Sequence, residues 1–307
     1  MSLVNAQPEA TVPPPAPALT VRSVGGPTAL IEIGGLRLVT DPTFDEPGEY
    51  VSGSGSTLAK TAPAAFGPAD LGPVDAVLLS HDQHPDNLDR SGREYLAGIP
   101  ITLTTPDGAE RLGGSARGLT PWEHVDLPRP GGGELRVTAV PAQHGPDGCE
   151  PISGVVTGFV LTAPDLPTVY VSGDNASLEV VGRIAERFGP VDTAVLFAGA
   201  ARSPRLFDGA LLTLDSAQAA EAARILAARQ VVPVHFNSWR HFTEGAGPLR
   251  NAFVAAGLDD RLALLAPGET FVAPARPRPC GRLLIRVRVR TRMPVRVDPA
   301  IPWRPRA

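Results

Sequence analysis

The segment Ser80-His81-Asp82-Gln83-His84-Pro85-Asp86-Asn87-Leu88-Asp89 places two imidazoles and three carboxylates within ten residues. Neutral imidazole and carboxylate are the side chains that hold zinc and related divalent ions, and groups two or three residues apart in a tight turn can converge on one cation. The same ten residues would also make an ordinary solvated loop, so the segment alone decides nothing. Three further candidates stand far downstream: His144 in AQHG, Asp174 in SGDN and His235 in PVHF. Taken singly, His144 reads as a loop histidine and Asp174 as a turn former. Their weight comes from what precedes them.

Each candidate follows a strand. The run VDAVLLS, residues 74–80, is a continuous apolar stretch of the kind buried on both faces of a sheet, and it delivers His81 at its carboxyl end. LRVTAVP precedes His144, TVYVSG precedes Asp174, and VVPV precedes His235. In open α/β sheets, ligand-bearing loops lie at the carboxyl ends of strands. Four distant strand ends thus each present a metal-ligand side chain. Ahead of them, residues 19–42 alternate around Gly25-Gly26 and Gly34-Gly35 as a β-meander. Residues 43–72 are rich in Gly, Pro and Ser and read as one long loop. Segments 177–189 and 216–230 carry helical spacing, with Ser or Asp available to cap the second. The class is α/β.

Composition narrows the chemistry. The 307 residues, 43% hydrophobic, are enough for one large domain or two small ones. Two cysteines, Cys149 and Cys280, exclude a cysteine-based zinc knuckle and fit a reduced, cytoplasmic setting. No stretch approaches the roughly 18 apolar residues of a membrane span. The formal charge of −4 is uneven: ten arginines between Arg276 and Arg306 face one acid, Asp298, which leaves the body acidic. An acidic body disfavours a nucleic-acid partner and leaves a small molecule as the expected one. Residues 1–18 read as a loose leader without the features of a secretory signal. Residues 274–307 read as an Arg/Pro-rich tail, in which 283–291 could form one alternating strand. Ser80 lacks the Gly-x-Ser-x-Gly surroundings of a serine hydrolase nucleophile.

The order of these features, together with Thr40-Asp41-Pro42 and Pro267-Gly268-Glu269, resembles the metallo-β-lactamase superfamily, especially its lactonase-like and phospholipase-D-like (UlaG-like) branch. The resemblance implies a four-layer αββα sandwich over residues 19–273. It assigns one metal ion to His81, His84 and His144 and another to Asp86 and His235, with Asp174 between them. Zn²⁺ is the expected ion, one or two per chain, with Mn²⁺ or Fe²⁺ as substitutes. It further implies hydrolysis of a small ester, lactone, amide or phosphodiester by a metal-activated water. Asp86 would orient the nucleophile and pass a proton to the leaving group. His241, close behind the last ligand beside Trp239 and Arg240, is expected in the substrate pocket with a catalytic role. Two departures stand out: two residues rather than one separate His81 from His84, and Asn87 replaces the signature's final histidine. One local bulge would reconcile the first, whereas Asn87 can offer only an amide oxygen. These departures also motivate an alternative, a degenerate member of the same fold acting as a binding or regulatory module. A homo-oligomer is compatible with either reading.

Overall fold

The computed structural model describes residues 18–51 and 57–274. The expected leader, but for Ala18, and the tail, but for Pro274, lie outside the described residues, as does the strand considered at 283–291. The chain opens as the β-meander expected from its alternation, β1 (Leu19–Gly25), β2 (Thr28–Ile33) and β3 (Leu36–Thr40). Residues 43–72 are not one loop: they contain a two-stranded ribbon, β4 (Gly48–Val51) with β5 (Thr57–Lys60), and a short 3-10 turn at Pro68–Leu71. The Gly and Pro content hid four-residue strands too short to show a period.

Then come β6 (Ala76–Leu78), β7 (Thr102–Thr104) and β8 (Ala116–Gly118). These extend the meander by parallel pairing through helices α1 (Arg90–Leu96) and α2 (Pro106–Leu112). A second sheet is built from β9 (His124–Pro128), β10 (Glu134–Ala142), β11 (Val156–Thr162), β12 (Val169–Val171), β13 (Thr193–Phe197) and β14 (Gln230–Val234). A short helix, α3 (Glu150–Ser153), sits between β10 and β11, and α4 (Leu178–Phe188), α5 (Ser216–Ile225) and α6 (Ala246–Ala255) follow. Finally β15 (Thr270–Val272) returns to pair with β1 in the first sheet, whose order is β15-β1-β2-β3-β6-β7-β8.

Period-two alternation in the strands explains the layering. In β6, Ala76 and Leu78 face the partner sheet while Val77 faces outward toward Leu96 of α1. In β13, Val195 and Phe197 face inward, and Ala194 and Leu196 face the helices. The inter-sheet core therefore draws on both sheets, with Phe159 and Phe197 fully buried at about 1.5–3 kcal/mol each. Val181 and Ile184 of α4, the alanines of α5 and Phe253 of α6 cover the second sheet. The result is the αββα sandwich. Asp215 caps α5, as expected, but this helix stops at Ile225 rather than 230, because Gln230 is already paired into β14 against Thr193.

Candidate metal centre

The four strand ends meet. His81 follows β6, His144 follows β10, Asp174 follows β12 and His235 follows β14. Ligand-type atoms of His81, His84 and His144 lie within 4.8 Å of one another, as do those of Asp86, Asp174 and His235. All six residues proposed from the sequence are thus drawn into two adjoining triads. The extra residue between His81 and His84 does not separate them, since His81 Nε2 and His84 Nδ1 stand 2.8 Å apart. The inserted Asp82 turns the other way, and its buried carboxylate accepts from Arg111 Nε at 3.0 Å with Arg93 Nη2 3.7 Å away. This anchor ties the ligand turn to α1 and α2.

His144 and His81 are each aimed by a partner on the far ring nitrogen. Leu212 O accepts from His144 Nδ1 at 2.8 Å, which leaves Nε2 as the free lone pair. Asp41 accepts from the backbone N–H of Ser80 at 2.6 Å and from its hydroxyl. The Ser80 oxygen, 2.9 Å from His81 Nδ1, is then free to accept from that ring, leaving Nε2 unprotonated. Asp41 thus supports the loop that carries His81 and lies outside both triads. His235 is held with a left-handed backbone, φ 57°, and its N–H donates to Gly26 O at 2.7 Å. Such strain in a non-glycine residue persists only where its surroundings enforce it. The Gly25-Gly26 turn belongs to this enforcement, because Gly26 N also donates to Asn237 Oδ1.

Electrostatics favour a cation. Burial, reinforced by neighbouring imidazoles, lowers His84 and His144 to about 4 and holds His81 well below its ordinary value, so all three are neutral near pH 7. Burial raises Asp174 and Asp41 to about 7. Burial also pushes Asp86 upward, but His241 and His235 outweigh it and hold that carboxyl well below the usual range. Among the described residues, no lysine or arginine pairs with any of these three buried carboxylates. Asp86 Oδ1, Asn87 Oδ1 and both ring nitrogens of His235 are buried without a hydrogen-bond partner. Unsatisfied acceptors facing unpaired carboxylates are costly unless a cation completes them, so the residues present fit one.

Asn87 occupies a supporting position. Its Nδ2 donates to Asp41 Oδ2 at 3.0 Å and to Asp174 Oδ1 at 3.2 Å, bridging the two carboxylates. His241 Nε2 lies 3.0 Å from Asp86 Oδ2, and His235 Nε2 3.3 Å from the same oxygen. His241 lines the cavity above the site together with Leu58, Ala201, Leu206 and Leu212. Arg240 is exposed at the mouth, and His124 is exposed on β9, away from the triads. Sequence reasoning missed Leu212, whose carbonyl acts irrespective of its side chain, and the β4–β5 ribbon that contributes Leu58. It also missed Lys60, buried on Asp89 at 3.3 Å beneath Trp239.

Comparison with known proteins agrees with this architecture. A metal-dependent hydrolase of Nitratidesulfovibrio vulgaris strain DP4 is 26% identical over 259 residues, covering 78% of this chain and 88% of that protein. One from Pyrococcus furiosus is 25% identical over 248 residues, covering 78% and 92%. The crystal structure of an isothiocyanate hydrolase from gut bacteria of Delia radicum superposes with a TM-score of 0.69 at 21% identity, over 83% of this chain and all of that one. The family model for the beta-lactamase superfamily domain matches residues 36–236, which hold every residue of both triads, and the chain belongs to that superfamily.

Proposed function

We propose that the protein is a metal-dependent hydrolase acting on a small ester, lactone, amide or phosphodiester. The observation that carries this reading is the pair of buried triads, His81/His84/His144 and Asp86/Asp174/His235, supplied by four separate strand ends. The relatives named as metal-dependent hydrolases support it. His81, His84 and His144 would hold one ion, Asp86 and His235 a second, with Asp174 shared. Zn²⁺ suits the nitrogen-rich triad, and Mn²⁺ or Fe²⁺ would also suit the triad with two carboxylates. When bound, a divalent ion supplies Lewis acidity and makes water nucleophilic near neutral pH.

The chain's own residues do the rest. Asp86, ionised and 3.0 Å from His241 Nε2, forms a carboxylate–imidazole pair at the floor of the cavity. That pair can take a proton from an attacking water and hand it to a leaving group. The side chains of Leu58, Leu206 and Leu212 exclude bulk water from the neck above it. The lactonase-like end of the superfamily is preferred on the strength of the motif resemblance. The expected location is cytoplasmic, from the cysteine content alone.

One observation favours the non-catalytic alternative: Asn87 stands where the signature has a histidine, its amide turned to Asp41 and Asp174. The test is elemental analysis of protein purified without chelator, followed by assay of lactone, ester, amide and phosphodiester substrates with metal restored. One or two ions per chain with metal-dependent turnover support the hydrolase. Less than one ion, with no restored turnover, would establish the binding module instead.

A further inference from the structure

Above the triads the cavity has two parts. A narrow neck is lined by His84, Asp86, His144 and His241 on its floor and, above them, by the apolar Leu58, Ala201, Leu206 and Leu212 with Ser203 and Arg202. It shares Leu58, Arg202 and His241 with a wider vestibule of about 1020 Å³. Arg202 is thus the one arginine or lysine in the neck, set among apolar walls where the vestibule begins. Its acidic vestibule neighbours, Glu49 and Asp208, do not line the neck.

Arg202 is fixed at both ends. Its backbone N–H donates to His241 O at 3.3 Å, and the residue bridges Leu211, next to the Leu212 whose carbonyl orients His144. At the other end, Nη1 donates to Gly209 O at 2.7 Å. That bond uses one of five guanidinium N–H groups, and among the described residues no carboxylate pairs with the remainder. A half-buried arginine with a preset fork and spare donors matches an oxyanion better than it matches solvent.

We propose that Arg202 is a specificity residue: it binds an anionic group, carboxylate or phosphate, carried by the substrate a short apolar span from the group that reacts at the triads. This rests on the hydrolase reading for where the reacting group sits. The substrate class is then a small acid whose ester, lactone or amide lies within a few carbons of a free oxyanion. The apolar walls hold the linking carbons, and neutral substrates of equal size are disfavoured because they leave the fork unpaired.

The test uses full-length protein loaded with zinc and isothermal titration against butyrate, glutarate and 3-phosphonopropionate. One carboxylate reaches the triads in each case, and only the latter two carry a second anion. Wild type should bind glutarate or 3-phosphonopropionate at least about tenfold tighter than butyrate, and which of the two wins identifies the oxyanion. Arg202→Gln should abolish the preference with butyrate affinity and zinc content unchanged, while Arg202→Lys should retain part of it. Equal binding of all three by wild type, or an undiminished preference in Arg202→Gln, overturns the proposal. Because binding is read without turnover, a protein that binds glutarate through Arg202 yet hydrolyses nothing would refute the hydrolase reading and leave Arg202 standing.

Discussion

Replacing Asp174 by Asn should make the metal-free protein more stable and the metal-loaded protein less so. Asp174 is 1% exposed, and burial raises its carboxyl from 3.8 to about 7. A carboxyl whose folded value lies above its unfolded value contributes stability below the unfolded value, and loses it as pH rises through the folded one. Above pH 7, therefore, the folded chelated protein carries an ionised carboxylate that burial penalises. The difference between 3.8 and about 7 corresponds to a cost on the order of 4 kcal/mol. Asn is nearly isosteric, remains neutral and can still accept from Asn87 Nδ2, now at 3.2 Å. At roughly 2–4 °C per kcal/mol for a chain of this size, chelated Asp174→Asn should melt several degrees above wild type at pH 8.5. The gap should close near pH 4. With zinc at well over 1,000 times its Kd the order should reverse, since such an excess stabilises wild type by more than about 4.1 kcal/mol, above the burial cost, and the variant forfeits that. Calorimetry with and without chelator at both pH values reads all four states. A chelated variant less stable than wild type at pH 8.5 would show that Asp174 is a structural hydrogen-bonding group and not a carboxylate waiting for a cation.

The same shifts predict the pH dependence of metal uptake. Because His84 and His144 are lowered to about 4 while Asp174 is raised to about 7, zinc affinity should fall by up to about tenfold per pH unit below 7 as the ion displaces the Asp174 proton. Competition titration between pH 5.5 and 8 checks this, and an unaltered slope in Asp174→Asn would contradict it. His144→Ala should lower metal content by elemental analysis and leave Leu212 O unpartnered. Gly199→Ala should also lower metal content, because a Cβ there would lie 2.2 Å from His235 O and displace that ligand's turn. Arg111→Ala should destabilise the fold by about 1–3 kcal/mol in urea unfolding, by leaving the buried Asp82 carboxylate with only a distant Arg93.

The α/β class and the placement of the candidate ligands at strand ends were legible because both rest on period, while the four-layer sandwich was implied by the resemblance. Val77, Val195 and Val232 sit in runs apolar on both faces, and a strand apolar on both faces must be covered twice. The runs through Val77 and Val232 end at His81 and His235, and β10 and β12 end at His144 and Asp174, so topology carries these four candidate ligands to one edge. The β4–β5 ribbon was not legible, since four residues give no measurable period and its packing depends on Trp239, nearly 180 residues away. The tolerance of the His81–His84 spacing was equally hidden. It depends on Arg111 reaching back to Asp82, a contact that no local pattern encodes. Backbone contributions, Leu212 O on His144 and Gly26 O on His235, leave no trace in residue type. Asn87 could be recognised as a departure, but only its two donated bonds reveal a bridge between carboxylates.

The central claim is that two adjoining triads bind metal, and anomalous diffraction from a crystal of zinc-loaded, chelator-free protein tests it most directly. The account predicts a peak enclosed by His81, His84 and His144 and, at full loading, a second bounded by Asp86, Asp174 and His235. Density at neither position, or zinc held only elsewhere on the surface, would contradict it.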